Sequence, residues 1–240
     1  MNVFSAPRGG LTGAALKGIA MAAMVLDHVG AALIEPVFLV PAEAPPAFWL
    51  AADTLLRGVG RVSFPLFCFL LAEGFAHTRS AARYLARLAL FALVSEVPYD
   101  LAFSSGADAS AQNVFFTLAA GMMTLMALKR FSGRALPMAL SLAAGCALAQ
   151  ALRADYGAAG VVLIAALWLL REKRAAMLAA MAAIALWISR ALFGAGALAA
   201  LPAAMYGGAR GTQRFKHAFH LFYPAHLLAL WALRRALFGG

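Results

Sequence analysis

The residues best suited to chemistry stand inside apolar runs of the chain. Asp27 and His28 are adjacent in the middle of one such run, MAAMVLDHVGAAL. An ionisable group at the centre of a bilayer costs about 3 kcal/mol on insertion scales, so its presence in a membrane span indicates function. We predict that His28 is a catalytic base and that Asp27 orients its imidazole and stabilises the charged form. The alternative is a buried polar pair that joins two helices.

A second polar group ends the run FALVSEVPYDLAF. Glu96 and Asp100 are four residues apart, and Pro98 between them is expected to bend the helix and to free backbone carbonyls. Paired acids beside a kink could bind a cationic or amine-bearing group, whereas the plainer interpretation is a solvated helix end. We assign Glu96, Tyr99 and Asp100 to substrate binding. Asn113, at the start of the next apolar run, is given the same role.

The last apolar run, HAFHLFYPAHLL, carries His220, Tyr223 and His226 at every third position. Steps of three residues drift by only about 60° around a helix, so these side chains form one polar stripe. We favour a cavity lining, in which Tyr223 and His226 bind substrate and His220 has a structural role. The spacing lacks the compact i, i+4 pair of a zinc site, so we predict no metal.

Arg61 and Glu73 bracket a further apolar run, in GRVSFPLFCFLLAEGFAHTR. Glu73 and His77 are four residues apart and therefore share a helix face. For Glu73 a structural ion pair and a place in the site are both open, and we assign it a structural polar role. Asp155, at the end of another run, is assigned the same role.

These side chains require a helical frame embedded in a membrane. Of the 240 residues, 64% are hydrophobic and 12% are charged, whereas a soluble domain is nearer half apolar and a quarter charged. This composition excludes a water-soluble globule and a disordered chain. At about 20 residues a span, we predict an all-α polytopic membrane protein with about eight or nine helices that enclose a polar cavity. The predicted spans, in one domain over 1–240, are 16–36, 54–76, 82–103, 114–128, 135–152, 158–171, 175–193, 195–208 and 216–236.

Two of these spans, 158–171 and 195–208, are short for a full crossing. One of them could therefore be re-entrant or tilted into a cavity lined by protein, where irregular backbone is tolerated.

Positive charge is concentrated in alternate loops. Basic loops stay on the cytoplasmic side of a membrane protein, so we predict a cytoplasmic N-terminus and, for an odd number of spans, Arg234 and Arg235 at the outer surface. The basic loops therefore explain the net charge of +10, and we predict no nucleic acid partner. Twelve Lys and Arg fall in the loops 77–87, 129–134, 171–174 and 210–216, and one falls in the loops 36–49, 104–113 and 153–157.

Six segments, in order, resemble the TraX family. They are LKGIAMAAMVLDHVG, LRGVGRVSFPLFCFLLAEGFAHTR, YLARLALFALVSEVPYDLAF, QNVFFTLAAG, DYGAAGV and LFYPAHL, and they run from Leu16 to Leu228. The founding member of that family is known as the enzyme that acetylates the N-terminus of F-type pilin. The family is similar to a wider group of multi-span acyltransferases, which includes heparan-α-glucosaminide N-acetyltransferases and polysaccharide O-acyltransferases. In that group a first-span histidine is thought to be catalytic and acyl-coenzyme A is the usual donor, and His28 is the matching residue.

The resemblance therefore implies an acyltransferase of the bacterial cytoplasmic membrane. It would move acetyl from acetyl-CoA to an amine, such as a peptide or pilin N-terminus, or to a hydroxyl. Arg61, Arg79 and Arg83 are candidate contacts for the donor, unless the loop arginines only set topology. Two rivals stay open: a proton-coupled transporter that uses the histidines and carboxylates as a relay, and a non-catalytic scaffold for a pilin-like partner.

Overall fold

The structure, a computed structural model, describes residues 9–104, 110–212 and 218–239, with side chains from Leu221 onward in the last range. It is 79% helix, and the described residues form no strand beyond two isolated bridges. The all-α prediction is confirmed. The α-helices are α1 Gly13–Val29, α2 Ala47–Gly60, α3 Ser63–His77, α4 Ala81–Phe103, α5 Val114–Arg130, α6 Ala135–Ala151, α7 Gly157–Leu169, α8 Arg174–Ile188, α9 Ala200–Ala204 and α10 Ala218–Phe238.

The first apolar run forms one continuous helix that widens in its second half. α1 begins after Thr12, whose side-chain oxygen accepts a hydrogen bond from the Ala15 N–H at 3.2 Å. From Gly30 the helix continues as a π-helix to Leu39, and Pro36 lies inside this part. Proline removes an amide donor, and local π geometry is one way in which a membrane helix accommodates the loss. The predicted loop 36–49 is therefore wrong in extent, because only residues 40–46 lie between helices.

The second predicted span, 54–76, is two helices, α2 and α3, which extend it to Ala47 and His77. The helices are separated at Arg61 and Val62. Pro65 explains the break, because it has no amide hydrogen to donate to the Arg61 carbonyl four residues earlier. α2 packs along the π-helix and α3 packs along α1. The break therefore lets the second run follow the first along its whole length.

The next four helices, α4 to α7, agree with their predicted spans to within two residues at each end. The predicted span 175–193 ends earlier, because α8 stops at Ile188. The predicted span 195–208 is a short 3₁₀-helix, Ala195–Ala199, that continues into α9. The Arg174 side chain, at the start of α8, donates to the carbonyl of Ala204 at 2.7 Å. This short segment therefore returns the chain to the end of the bundle at which α8 began.

The described parts of the four predicted cytoplasmic loops meet at one end of the bundle, which we call the basic end; residues 213–216 of the fourth loop lie outside the described residues. Lys129 lies 5.5 Å from the Phe75 ring, and that ring packs edge-on against Trp168 at 4.8 Å. The Arg171 guanidinium stacks 4.0 Å from Trp168, and Arg210 donates to the carbonyl of His77 at 3.5 Å. The grouping matches the charge pattern of the sequence.

The first described residues and the end of α10 lie at opposite ends of the bundle. Near the N-terminus, Leu11 pairs with Tyr206 at the basic end. α10 runs parallel to the first helix, because His226 contacts His28 and Phe238 packs 5.6 Å from Phe38. The C-terminal end of α10 is therefore at the far end, as expected for an odd number of passes along the bundle.

Large apolar side chains cover much of the outside of the bundle. Soluble monomers rarely expose contiguous apolar patches of this kind. Within the described ranges, two helical segments, Gly13–Leu39 and Ala47–His77, are long and apolar enough to cross a membrane by length and composition. Together these features indicate a membrane protein. The exposed apolar side chains include Leu90, Leu93 and Val97 of α4, Leu136 and Leu140 of α6, and Trp187 of α8.

Candidate functional site

Asp27 lies at the centre of a cluster of charged side chains. Its Oδ1 atom is 2.5 Å from Nη2 of Arg61 and 3.1 Å from Nη1 of Arg57. Arg57 also binds Glu35, with Nε 3.0 Å from Oε1. The Asp53 Oδ1 atom is buried and accepts no hydrogen bond from the described residues. We call these five residues the charged cluster.

The sequence builds the charged cluster by helical spacing. Asp53, Arg57 and Arg61 follow one another at four-residue steps, so they share the face of α2 that meets the first helix. Two glycines allow the close approach. A Cβ atom at Gly30 would lie 2.7 Å from Asp53 Oδ1, and a Cβ atom at Gly60 would overlap the Asp27 side chain.

His28, the next residue of α1, points away from the charged cluster and contacts the last helix. Its Nδ1 atom is 2.7 Å from Nε2 of His226. Asp27 binds arginines instead, because consecutive helix residues point about 100° apart, so no described hydrogen bond supports its predicted role of orienting the His28 imidazole. The group that contacts His28 Nδ1 is His226, which we had assigned to substrate binding. We call His28 and His226 the histidine pair.

Aromatic rings enclose the histidine pair. Phe103 and Tyr223 lie edge-on to the His28 ring, with centroid distances of 5.2 and 5.9 Å. His226 Nδ1 is 2.8 Å from the carbonyl oxygen of Phe222, one turn earlier in α10. The predicted residue Tyr99 belongs to the same wall, because its ring is 5.0 Å from Phe103.

A chain of contacts joins the histidine pair to Glu96. The ring of the buried Tyr223 lies edge-on to that of Phe115, with centroids 5.3 Å apart, at the start of α5, whose first residue is Val114. The preceding residue, Asn113, caps that helix by accepting from the Phe115 N–H at 3.1 Å. Asn113 also donates to Glu96 Oε2 at 2.5 Å. The structure thus brings the predicted residues of α4, α5 and α10 to one region.

Glu96 keeps an unused acceptor in that region. Its Oε1 atom is buried and is not hydrogen-bonded by any described group. Asp100, one turn later in α4, interacts electrostatically with Glu96. The two acids predicted to bind an amine therefore lie close together, with one carboxylate oxygen available.

Asp155 occupies the turn between α6 and α7, against the charged cluster. The Thr117 hydroxyl donates to its backbone carbonyl, and its backbone N–H donates to the carbonyl of Gln112 at 2.8 Å. Burial raises the pKa of the Asp155 carboxyl to about 6, against the opposing effect of Arg61. The predicted structural role of Asp155 thus extends to an electrostatic contact with the charged cluster.

The three arginines predicted to bind the donor do not form one site. Arg61 precedes α3 and pairs with Asp27, whereas Arg79 and Arg83 are exposed beyond the other end of that helix. The 15 residues of α3 separate them by about 22 Å. Their joint role in binding the donor therefore stays a prediction without support from proximity. A single phosphate group could not contact all three side chains.

Glu73 lies in a separate polar cluster near the basic end. Its Oε1 atom accepts from the Tyr206 hydroxyl at 2.7 Å and is 3.3 Å from His77 Nδ1. This arrangement ties α3 to the segment after α9. His220, to which we gave a structural role, has its side chain outside the described residues.

Sequence reasoning missed several members of these clusters. Arg57 and Asp53 could have been found from their four-residue spacing to Arg61, which places all three on one helix face. Tyr206 gives no comparable signal, because its contact with Glu73 joins residues that are 133 positions apart.

Two grooves on the surface of the described structure lie away from the predicted site residues. One, of about 450 Å³, is lined by α7 and α8 between Ala158 and Trp187. The other, of about 600 Å³, lies between α2 and the segment from Leu192 to Leu198. Apolar side chains form nearly all of both walls.

Comparison with known proteins identifies the family. The family model described as TraX protein matches residues 12–234, which include the charged cluster and the histidine pair. Over 249 residues the chain is 33% identical to the "Probable fimbrial assembly protein FimC, serogroup H1" of Dichelobacter nodosus, and the match covers 92% of this chain and 95% of that protein. No solved structure matches the chain. Because the family model spans most of its length, the chain belongs to the TraX family.

Proposed function

We propose that the chain is a membrane acyltransferase that moves an acyl group, foremost acetyl, from an acyl-CoA thioester to the amino terminus of a pilin-like peptide. Membership of the TraX family and the fimbrial assembly name of the relative support a pilin-like acceptor. The proposal depends on which ring nitrogen of His28 is hydrogen-bonded. Its Nδ1 atom is hydrogen-bonded to His226, and no described group is hydrogen-bonded to its Nε2 atom. Nε2 is therefore the ring nitrogen available to a substrate.

In the proposed reaction the acceptor amine first loses the proton of its ammonium form to solvent, and its nitrogen lone pair then attacks the carbonyl carbon of the thioester. A C–N bond forms, and the proton of the nitrogen moves to His28 Nε2, which acts as the general base. The C–S bond then breaks, and the departing thiolate takes that proton from His28 Nε2, so that an amide and a thiol are produced and the neutral imidazole is restored. A thioester is already activated, and no serine or cysteine nucleophile is required.

Glu96 is the proposed contact for the acceptor amine. An amino terminus is largely protonated near pH 7, and the free Oε1 atom of Glu96 offers it a carboxylate acceptor. The Asn113 side chain fixes the other carboxylate oxygen. Asp100 adds negative charge on the same helix face.

The donor is not assigned to Arg79 and Arg83. These arginines lie near the basic end, whereas His28 is 15 positions after Gly13, the first residue of α1. The distance along the helix is about 22 Å, so phosphates held there would be that far from the thioester. Arg57 and Arg61 lie nearer, but both guanidinium groups are paired with Asp27.

For the membrane arrangement we propose nine passes, with the basic end in the cytoplasm and the end of α10 outside. Two features support this orientation: the described basic loops gather at one end, and the start of α1 and the end of α10 lie at opposite ends. In a variant without Cys68 and Cys146, single cysteines at positions 79, 130, 172 and 210 should resist an impermeant thiol reagent applied outside. Labelling at two of these positions would contradict the orientation.

Acyl transfer can be tested with the full chain in lipid nanodiscs. Acetyl-CoA and a peptide with a free amino terminus are supplied, and release of the thiol and acetylation of the peptide are both measured. The replacement His28→Gln should lower the rate by about 10²–10⁴-fold, the usual contribution of a general base. The matched control His77→Gln changes a histidine near the basic end and should leave the rate near that of the wild type.

Three results would overturn the proposal. One is a His28→Gln protein that transfers acetyl at the wild-type rate. Another is a wild-type protein that transfers no acyl group but carries protons across the membrane of proteoliposomes, which would establish the transporter. Pilus assembly that proceeds normally in the His28→Gln variant, with no acetylation in either protein, would instead establish a scaffold.

A further inference from the structure

The two imidazoles of the histidine pair are joined edge to edge. Their ring planes differ by 5°, and their centroids are 4.9 Å apart. The 2.7 Å between His28 Nδ1 and His226 Nε2 is shorter than the distance between stacked ring faces and has the length of a strong hydrogen bond. The contact is therefore an in-plane hydrogen bond, which needs one donor and one acceptor.

The carbonyl of Phe222 determines which nitrogen is the donor. A carbonyl oxygen can only accept, so His226 Nδ1, 2.8 Å away, must carry a hydrogen. In a neutral imidazole the other nitrogen, Nε2, is then an acceptor. The hydrogen between the rings therefore belongs to His28 Nδ1. The reverse arrangement would require a charged His226 among Phe222, Tyr223 and the neighbouring rings, where it would lose its hydration.

We propose that His226 is a positioning residue that holds His28 in one tautomer. By accepting the hydrogen of Nδ1, it leaves the lone pair of His28 on Nε2. The link from this tautomer to catalysis rests on the proposed acyl transfer, whereas the tautomer itself does not. From the sequence we predicted that Asp27 positions His28, but in the structure Arg57 and Arg61 bind the Asp27 carboxylate.

The surrounding rings restrict the His28 imidazole to this orientation. Phe103 and Tyr223 meet it edge-on, at interplanar angles of 75° and 72°. A flip of the ring would place Cδ2 where Nδ1 meets His226, and the hydrogen bond would be lost. His226 therefore fixes both the rotation and the protonation of the ring, as an orienting group does for other catalytic histidines.

The tautomer can be measured without any activity. The full chain, labelled with ¹⁵N-histidine and placed in lipid bilayers, contains five histidines, and single replacements assign the His28 signals. The ring nitrogen shifts should show a hydrogen on Nδ1 of His28 and none on Nε2 at neutral pH. A hydrogen on Nε2 of wild-type His28 would overturn the proposal, whatever the protein catalyses.

Variants at position 226 separate positioning from packing. His226→Gln keeps a side-chain oxygen that can accept from Nδ1, so it should keep the wild-type tautomer and most of the rate. His226→Leu has no acceptor, so it should lose the single tautomer and lower kcat by about 10²-fold or more with little change in KM. His77→Leu is the control and should leave the His28 signals unchanged.

The outcomes are distinct from those of the proposed function. If the wild type transfers no acyl group, the acyltransferase proposal fails while the nitrogen shifts still decide the tautomer. If transfer occurs but His226→Leu keeps the same tautomer and kcat, the positioning role of His226 is wrong while the acyltransferase proposal stands.

Discussion

Replacement of Asp27 by Asn should destabilise the protein mainly through Arg61. Asp27 Oδ1 is shared by two guanidinium groups, and the side chains of Asp27 and Arg61 are only 12% and 17% exposed. Arg57 keeps a second carboxylate, Glu35, at 3.0 Å. Apart from Asp27, the described residues offer Arg61 a backbone carbonyl at 3.3 Å. The replacement therefore leaves Arg61 as the less compensated charge.

The size of the effect follows from the loss of one partner of a buried pair. Such a loss costs about 3–5 kcal/mol, and the amide retains some hydrogen bonding, so we expect about 2–4 kcal/mol for Asp27→Asn. In a chain of this size each kcal/mol lowers Tm by about 2–4 °C. The unfolding midpoint in detergent should therefore fall by about 5–15 °C.

Double-mutant cycles identify the partner responsible. Free energies of unfolding are measured for Asp27→Asn combined with Arg61→Gln, Arg57→Gln or His28→Gln. The coupling to Arg61 should exceed the coupling to Arg57 by about 1 kcal/mol, and the coupling to His28 should stay below about 0.5 kcal/mol. A coupling to His28 larger than that to Arg61 would refute the structure-based role of Asp27 and restore the role predicted from the sequence.

Three further predictions concern stability, each measured by unfolding of the full chain in detergent. Gly60→Ala places a Cβ atom 2.7 Å from the Asp27 Cα, so it should lower the free energy of unfolding by about 1–3 kcal/mol. A Cβ atom at Gly58 meets nothing within 4 Å, so the control Gly58→Ala should cost nothing. Equal losses would contradict the packing. Arg234→Ala removes hydrogen bonds to the carbonyls of Ala32, Leu101 and Ala102, so it should lower the free energy of unfolding by about 2–3 kcal/mol. The control is Arg235→Ala. The Arg235 guanidinium lies 5.9 Å from the Trp231 ring, and its loss should cost less than about 1 kcal/mol. Burial raises the pKa of Asp155 from 3.8 to about 6, so the free energy of unfolding should fall by about 3 kcal/mol as pH rises through that range. Asp155→Asn should remove this pH dependence. An unchanged dependence in the variant would assign it to other groups.

The helices themselves were largely predictable. Apolar runs with Pro, Gly or basic residues between them gave the bounds of α4 to α7, because a membrane helix needs a continuous apolar stretch. The same rule failed around Pro36 and Pro65. A proline in an apolar run can end a helix, widen it or separate two helices, and the packing partner decides which of these occurs. The sequence contains the proline but not that partner.

That the first and last helices run parallel could also be anticipated from an odd number of spans, but the contacts of Arg234 could not. Arg234 was expected to reach the outer surface. In the structure it donates to backbone carbonyls at the end of α4 and in the π-helix, in the turn before Pro36. Those acceptors exist because α4 ends there and because the first helix departs from α geometry. Neither feature can be read from the residues around Arg234.

The candidate site shows most directly where sequence reasoning stops. Adjacent residues Asp27 and His28 suggested one catalytic unit, by analogy with sites in which a carboxylate orients a histidine. On a helix, however, neighbours diverge by about 100°, so adjacency predicts two different environments. Asp27 meets α2, whose four-residue spacing of charges was visible in the sequence. His28 meets a residue 198 positions away, and only the packing of α10 against the first helix brings it there. The polar residues were thus identifiable from their cost in an apolar run, whereas their pairing, on which any assignment of base and orienting group depends, is a property of the tertiary structure.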